Sequence, residues 1–248
     1  MTQGRSIAVA SGKGGVGKTW FAITLANAFA REGQRVLLFD ADLGLANVDI
    51  QLGLTPEHDL AAVIAGRVTL AETAFHHPDG GFDIVAGRSG SGALSAVEPA
   101  ALERTLTALR QETARYDIVL LDLGAGLERA VRRMSAWADT LLVLATEEPT
   151  SLTDAYAVLK LHAADRVEGD ARVVVNQAST LHAGERTFAT LQRACMTFLG
   201  RAPRLAGVVR RDDRVRDAIR RQTLLLVRHP ASPAAADVET AARALLAA

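Results

Sequence analysis

With 248 residues, the chain has room for one large domain or two small ones, each with its own core. Hydrophobic residues make up 49% but aromatics only 4%, so the core is expected to be Ala, Val, Leu and Ile, as in α/β proteins with buried parallel strands. Its 28 basic residues balance 28 acidic ones, which excludes a global field favouring nucleic acid or membrane, and the single cysteine, Cys195, excludes internal disulfides and a Cys-x-x-Cys metal or iron–sulfur site within one chain.

The first apolar run, 6–10, predicts a strand and leads into Ser11-Gly-Lys-Gly-Gly-Val-Gly-Lys-Thr-Trp20. Gly12, Gly17, Lys18 and Thr19 fill the phosphate-binding pattern G-x-x-x-x-G-K-[ST]. Small residues at Gly12, Gly14, Gly15, Val16 and Gly17 let backbone N–H groups close around phosphate oxygens, and the helix predicted over 18–32 offers the positive end of its dipole. Lys18 is expected to neutralise the β- and γ-phosphates of ATP, and the Thr19 hydroxyl to ligate Mg²⁺. Lys13 is a second lysine inside the loop, where the pattern asks for nothing. Lysine stands only at 13, 18 and 160, every other cation being arginine. A narrow ammonium fits among packed phosphate oxygens where a planar guanidinium does not.

Gly33 reads as the cap of that first helix. Further strands are predicted over 35–40, 82–87, 117–122, 139–145, 171–176 and 204–209. Helices are predicted over 57–65, 98–115, 127–136, 151–164, 184–198 (carrying Cys195), 212–221 and 232–247. Gly87-Arg-Ser-Gly-Ser-Gly92 reads as a surface loop. No linker, repeat or low-complexity segment interrupts the alternation, so a single domain over 1–248 is expected: α/β, with a mostly parallel, doubly wound sheet. No apolar run reaches the ~20 residues of a membrane span and no signal-peptide core precedes the first strand, so a cytoplasmic protein is expected.

In such sheets the ligand sits at the carboxyl ends of the strands. The second strand delivers Asp40 and Asp42, the fourth Asp122-Leu-Gly-Ala-Gly126, the fifth Glu147-Glu-Pro-Thr150 and the sixth Asn176-Gln177. A lone strand-end Asp is commonly a helix cap. Three converging on a phosphate loop match what an NTPase needs: carboxylates to organise Mg²⁺ and one to orient an attacking water.

The string Gly-Lys-Gly-Gly-Val-Gly-Lys-Thr, with its extra lysine, resembles the deviant P-loop of the MinD/ParA group of dimerising ATPases, and the resemblance extends from Ile7 to about Pro233. Within the group, the strings from Asp40 to Asp49, from Asp122 to Gly126 and from Glu148 to Tyr156 look most like the FlhG (FleN, YlxH) type, which controls flagellar number and placement. The resemblance implies a slow, dimer-dependent ATPase, homodimeric when ATP-bound. Lys13 would cross the dimer interface onto the partner's nucleotide, Asp42 would position the hydrolytic water, and Asp40 and Asp122 would serve Mg²⁺ and the switches. Asn176 would read the adenine edge, although an Asn at a strand end is also a turn former. Trp20 stands where the group has a small polar residue near the α-phosphate, its backbone N–H still serving there and its indole packing on the sheet or covering the nucleotide. Leu123 replaces a commoner Thr, and Arg210 stands where relatives have Pro.

The partner implied is a protein, a flagellar GTPase of the FlhF kind or a C-ring component. Only about five residues precede the first strand, so the activating segment for such a GTPase is not expected here. An alternative is a ParA-like partition ATPase holding DNA through Arg210, Arg211, Arg214, Arg216, Arg220 and Arg221. The interleaved Asp212, Asp213 and Asp217 balance those arginines, so DNA is not the expected partner. The alanine-dominated stretch 237–248 is expected to pack on the sheet, limiting membrane association to a weak, transient and peripheral kind. An amidotransferase-type synthase would need a further glutaminase domain, and no chain remains for one.

Overall fold

The computed structural model describes residues 4–87 and 97–247. In chain order the strands are β1 (Arg5–Ser11), β2 (Val36–Ala41), β3 (Phe75–His77), β4 (Phe82–Val85), β5 (Ile118–Ala125), β6 (Thr140–Ala145), β7 (Asp170–Ala178) and β8 (Arg204–Arg210). The helices are α1 (Lys18–Arg31), α2 (Val48–Leu52), α3 (Leu60–Ile64), α4 (Leu70–Thr73), α5 (Pro99–Glu112), α6 (Arg129–Trp137), α7 (Pro149–Asp165), α8 (Leu181–Leu199), α9 (Asp213–Arg220), α10 (Leu225–Arg228) and α11 (Pro233–Leu246).

The strands form one eight-stranded sheet in the order β3-β4-β2-β5-β1-β6-β7-β8, parallel throughout except for β3 against β4. Alternate residues of each strand feed two cores. Ile7, Val9, Ile118 and Leu120 face α1 and α11, while Ala8, Ala10, Val119 and Leu121 face the side of α5, α7 and α8. Burial on both faces explains why these strands read as unbroken apolar runs. The α/β architecture with a mostly parallel sheet is as expected.

Several boundaries differ from the sequence reading. The helix expected from 184 starts at Leu181, because Thr180 caps it by accepting from the Ala183 N–H. The helix expected from 57 starts at Leu60, because the Asp59 carboxylate accepts from Ala62 N–H. Pro149 opens α7 two residues before the expected start, proline being at home in the first turn. β3, α2, α4 and α10 were not anticipated: each has three to five residues, too few to display a period. The Arg88–Gly92 part of the expected loop lies outside the described residues. The last helix packs as expected, with Ala234, Ala235, Val238, Ala241, Ala242 and Leu245 buried against α1 and β8. Among the described residues no helix is long and apolar enough to cross a membrane.

Candidate functional site

β5 lies between β1 and β2, so three strand ends converge beside the loop of residues 12–17. Parallel register sets Asp40 of β2 directly opposite Asp122 of β5, and Asp122 opposite Val9 of β1. Both carboxyls are buried. Burial pushes the Asp40 pKa up, and the neighbouring Asp122 pushes it further; backbone N–H groups of Val48 and Asp42 pull against this. Burial likewise raises Asp122, opposed by the Lys18 ammonium and the Thr19 hydroxyl. Among the described residues no donor reaches full hydrogen-bond geometry on either Asp122 oxygen, the Thr19 hydroxyl acting from nearby. Two adjacent buried carboxylates, one of them with oxygens that no donor satisfies, next to a lysine and a threonine hydroxyl, are costly alone and suited to a hard divalent cation.

Asp40 also has a mechanical role. Its Oδ2 accepts from Val48 N–H at 3.2 Å and so holds the start of α2. Asp42 Oδ1 accepts from the N–H groups of Gly44 and Leu45 at 3.2 and 2.9 Å, folding residues 42–45 into an Asx turn. Asp42 also lies over Gly124 of β5, where a Cβ would come 3.2 Å from Oδ1. Glycine therefore lets the two segments touch.

The phosphate loop is braced from the side of β7. Gly17 has φ 89°, and a Cβ there would meet Asn176 Nδ2 at 2.6 Å, so both the backbone angle and the contact require glycine. Asn176 is buried and its Nδ2 donates to the Val16 carbonyl at 2.8 Å. Gln177, with φ 56°, donates from Nε2 to the Gly15 carbonyl at 3.4 Å. The Gly126 N–H donates to the Ser11 carbonyl at 3.0 Å, tying the end of β5 to the start of the loop.

A cavity of about 320 Å³ opens beyond the loop, lined by Gly15, Gly17, Trp20, Asn176, Gln177 and the stretch from Arg210 to Ile219. Its size suits the nucleoside half of a nucleotide. A larger cavity, about 670 Å³ among α5, α6 and α7, holds none of the strand-end groups.

The structure thus gathers Lys18, Thr19, Asp40, Asp42 and Asp122 on one side of the loop and Trp20 and Asn176 on the other. Lys13 points elsewhere. Its Nζ donates to Glu148 Oε2 at 2.7 Å and lies 3.4 Å from Thr150 Oγ1. Glu148 stood among the strand-end residues in the sequence, but nothing there marked it as this partner. Gln177 stood beside Asn176 at the strand end without a role, and the wall from Val215 to Ile219 was missed, because only the packing of α9 brings it to the loop.

The arginine cluster is wired differently from expectation. Arg210 pairs with Asp237 of α11 through Nε and Nη2 at 2.8 and 2.7 Å. Asp212 caps α9, accepting from Arg214 N–H at 3.0 Å. Asp217 turns away to Arg228 and His229 at 2.5 and 2.7 Å, which hold its carboxyl low, at about 2. Among the described residues no carboxylate pairs with Arg216, Arg220 or Arg221.

Residues 7–225 match the CobQ/CobB/MinD/ParA nucleotide binding domain. The antiactivator FleN of Pseudomonas aeruginosa is 40% identical over 228 residues, covering 92% of this chain and 81% of that protein. The flagellum site-determining protein YlxH of Helicobacter pylori is 30% identical over 65% of this chain and 55% of its own length. In fold, the chain is similar to the septum site-determining protein MinD of Pyrococcus horikoshii, solved as a complex with Mg-ADP, with a TM-score of 0.81 and 22% identity over 97% of this chain and 95% of that one.

Proposed function

Because the chain belongs to the MinD/ParA nucleotide-binding family, we propose that it is an ATP-hydrolysing switch, dimeric with ATP, that regulates flagellar number or placement. The observation that carries the ATPase reading is the buried Asp40–Asp122 pair set beside Lys18 and Thr19 at the mouth of the phosphate loop. Thr19, Asp122 and Asp40 would hold Mg²⁺, which when bound offsets phosphate charge. The N–H groups of residues 12–19 and the Lys18 ammonium bind and orient the triphosphate. Asp42 keeps Oδ2 free of the turn made by Oδ1, so that oxygen takes a hydrogen bond from water and aims it at the γ-phosphorus. Lys13 of a second copy supplies charge to the transferring phosphoryl group, once it leaves Glu148.

The flagellar part rests on the likeness to FleN and YlxH, and the partner proposed is a protein, a GTPase of the FlhF kind or a C-ring component. The test has two stages. Purified protein should bind and slowly hydrolyse ATP and double its mass in light scattering with a slowly hydrolysed analogue, and Lys18→Ala should abolish all three. Cells lacking the protein should then show altered flagellar counts by electron microscopy. Normal counts would leave the ATPase reading standing and remove the flagellar one. A ParA-like, DNA-holding switch is the second reading, favoured by Arg216, Arg220 and Arg221, which no carboxylate among the described residues pairs with.

A further inference from the structure

Neighbouring residues of a strand point to opposite faces of its sheet. Asn176 and Gln177 of β7 depart from that rule, because their amides reach consecutive carbonyls of the phosphate loop, Val16 at 2.8 Å and Gly15 at 3.4 Å. The register of β7 against β8 shifts between Val175 and Ala178, and Gln177 within that shift has φ 56°. An irregularity of this kind re-aims a side chain, and a residue other than glycine holds a left-handed angle only under strain. Among the described non-glycine residues only Gln222 shares such an angle, and its amide donates to the Ile50 carbonyl at 2.9 Å, tying the chain after α9 to α2. The re-aimed Gln177 instead lines the 320 Å³ cavity. Its Nε2 lies 3.8 Å from where a Cβ on Gly17 would stand, so the amide itself sits between two residues of the cavity wall. The Gly15 carbonyl also fixes which way the amide is turned, since an oxygen set against that carbonyl would be repelled. Oε1 is left as the free acceptor. Among the described residues no donor reaches it, and it is open to solvent.

We propose that Gln177 Oε1 accepts a hydrogen bond from the exocyclic amino group of the base, making Gln177 the residue that selects a 6-aminopurine nucleotide over a 6-oxopurine one. The proposal rests on the nucleotide reading above. Adenine presents a donor at that edge, whereas a 6-oxopurine presents an oxygen that would face another acceptor. With Nε2 held by Gly15, the amide cannot turn over to suit the oxygen without giving up the loop contact. A ribose hydroxyl both donates and accepts, so it would need no amide locked in one sense; a base edge of fixed polarity does. The loop that cradles the phosphates thus also sets the polarity of the group that reads the base.

The test compares Kd values for ATP and inosine triphosphate in wild type, Gln177→Met and Gln177→Gly. Methionine keeps the length of the side chain without the amide. Glycine is at ease at φ 56°, so its variant should fold with at least the wild-type melting temperature. Wild type should favour ATP by about fivefold to tenfold, the worth of one neutral hydrogen bond, and both variants should bring the ratio to about one. Loss of the Gly15 contact alone would weaken ATP, inosine triphosphate and tripolyphosphate together and leave the ratio as it was. 2′,3′-Dideoxy-ATP should bind more weakly than ATP by the same factor in all three proteins; a loss confined to wild type would put Gln177 on the ribose and overturn the proposal. A wild type that binds ATP and inosine triphosphate equally overturns it too, as do variants that keep the wild-type ratio. Lys18-dependent ATP binding in those cases leaves the nucleotide reading standing. If the folded wild-type protein binds no ATP, both fall.

Discussion

Lys13 and Glu148, 135 residues apart in sequence, form an ion pair of 2.7 Å across the mouth of the phosphate loop. Glu148 raises the lysine pKa and Lys13 lowers that of the carboxylate, so the pair stays charged. Both side chains face solvent, where such pairs are weak and easily exchanged for a better anion. Lys13→Ala is expected to keep ATP binding but lose ATP-dependent dimerisation and hydrolysis. Glu148→Gln removes the competing partner, so it should dimerise at a few-fold lower protein concentration. Light scattering across a concentration series with a slowly hydrolysed analogue checks both, and a Lys13→Ala protein that dimerises normally refutes the role.

Asp42 should separate binding from turnover. Its carboxylate accepts from the N–H groups of Gly44 and Leu45, so its removal should leave the phosphate contacts of the loop standing. Asp42→Ala is therefore expected to bind ATP with near-normal affinity while kcat falls about a hundredfold or more, trapping the dimer. Phosphate release and equilibrium binding measured side by side check this, and lost ATP binding would assign Asp42 to structure instead.

Acid should weaken the fold through His162. This histidine is buried on α7, with Nδ1 3.2 Å from the Ser135 hydroxyl and Nε2 without a partner among the described residues. Burial lowers its pKa, Arg166 and Arg201 add to the effect, and Asp165 and Asp170 oppose it. The unfolded chain therefore takes up this proton first, and the contribution present above about pH 6.5 is lost as pH falls below it. His162→Gln should show a smaller drop in melting temperature between pH 7.5 and 5.5 than wild type. Equal drops would place the acid sensitivity elsewhere. Gly169→Ala should destabilise at every pH, because a Cβ there would meet His162 Nε2 at 2.5 Å.

The arginines of α9 discriminate between the two switch readings. With ATP and the Asp42→Ala variant, little binding to duplex DNA is expected at physiological salt, and little to anionic liposomes, since the apolar face of α11 is already buried. Binding through phosphates would instead weaken with salt at a log–log slope of about −0.9 per contact. Salt-sensitive micromolar binding abolished by Arg220→Glu with Arg221→Glu would favour the partition ATPase. Gel shifts and liposome co-sedimentation read both.

The phosphate loop, the strand-end carboxylates and the parallel sheet were legible in the sequence. Each is written locally: the loop in consecutive residues, the strands in apolar runs that burial on both faces demands, and Asp40, Asp42 and Asp122 at the ends of such runs. The tertiary structure alone decided which of these meet. Placing β5 between β1 and β2 sets Asp122 beside Asp40, and nothing near either residue encodes that strand order. The same holds for Lys13 on Glu148 and for Asp217 turned to Arg228 and His229. Pair contacts between distant segments depend on sheet order, register and helix packing, which the chain settles only by burying both faces of the sheet at once.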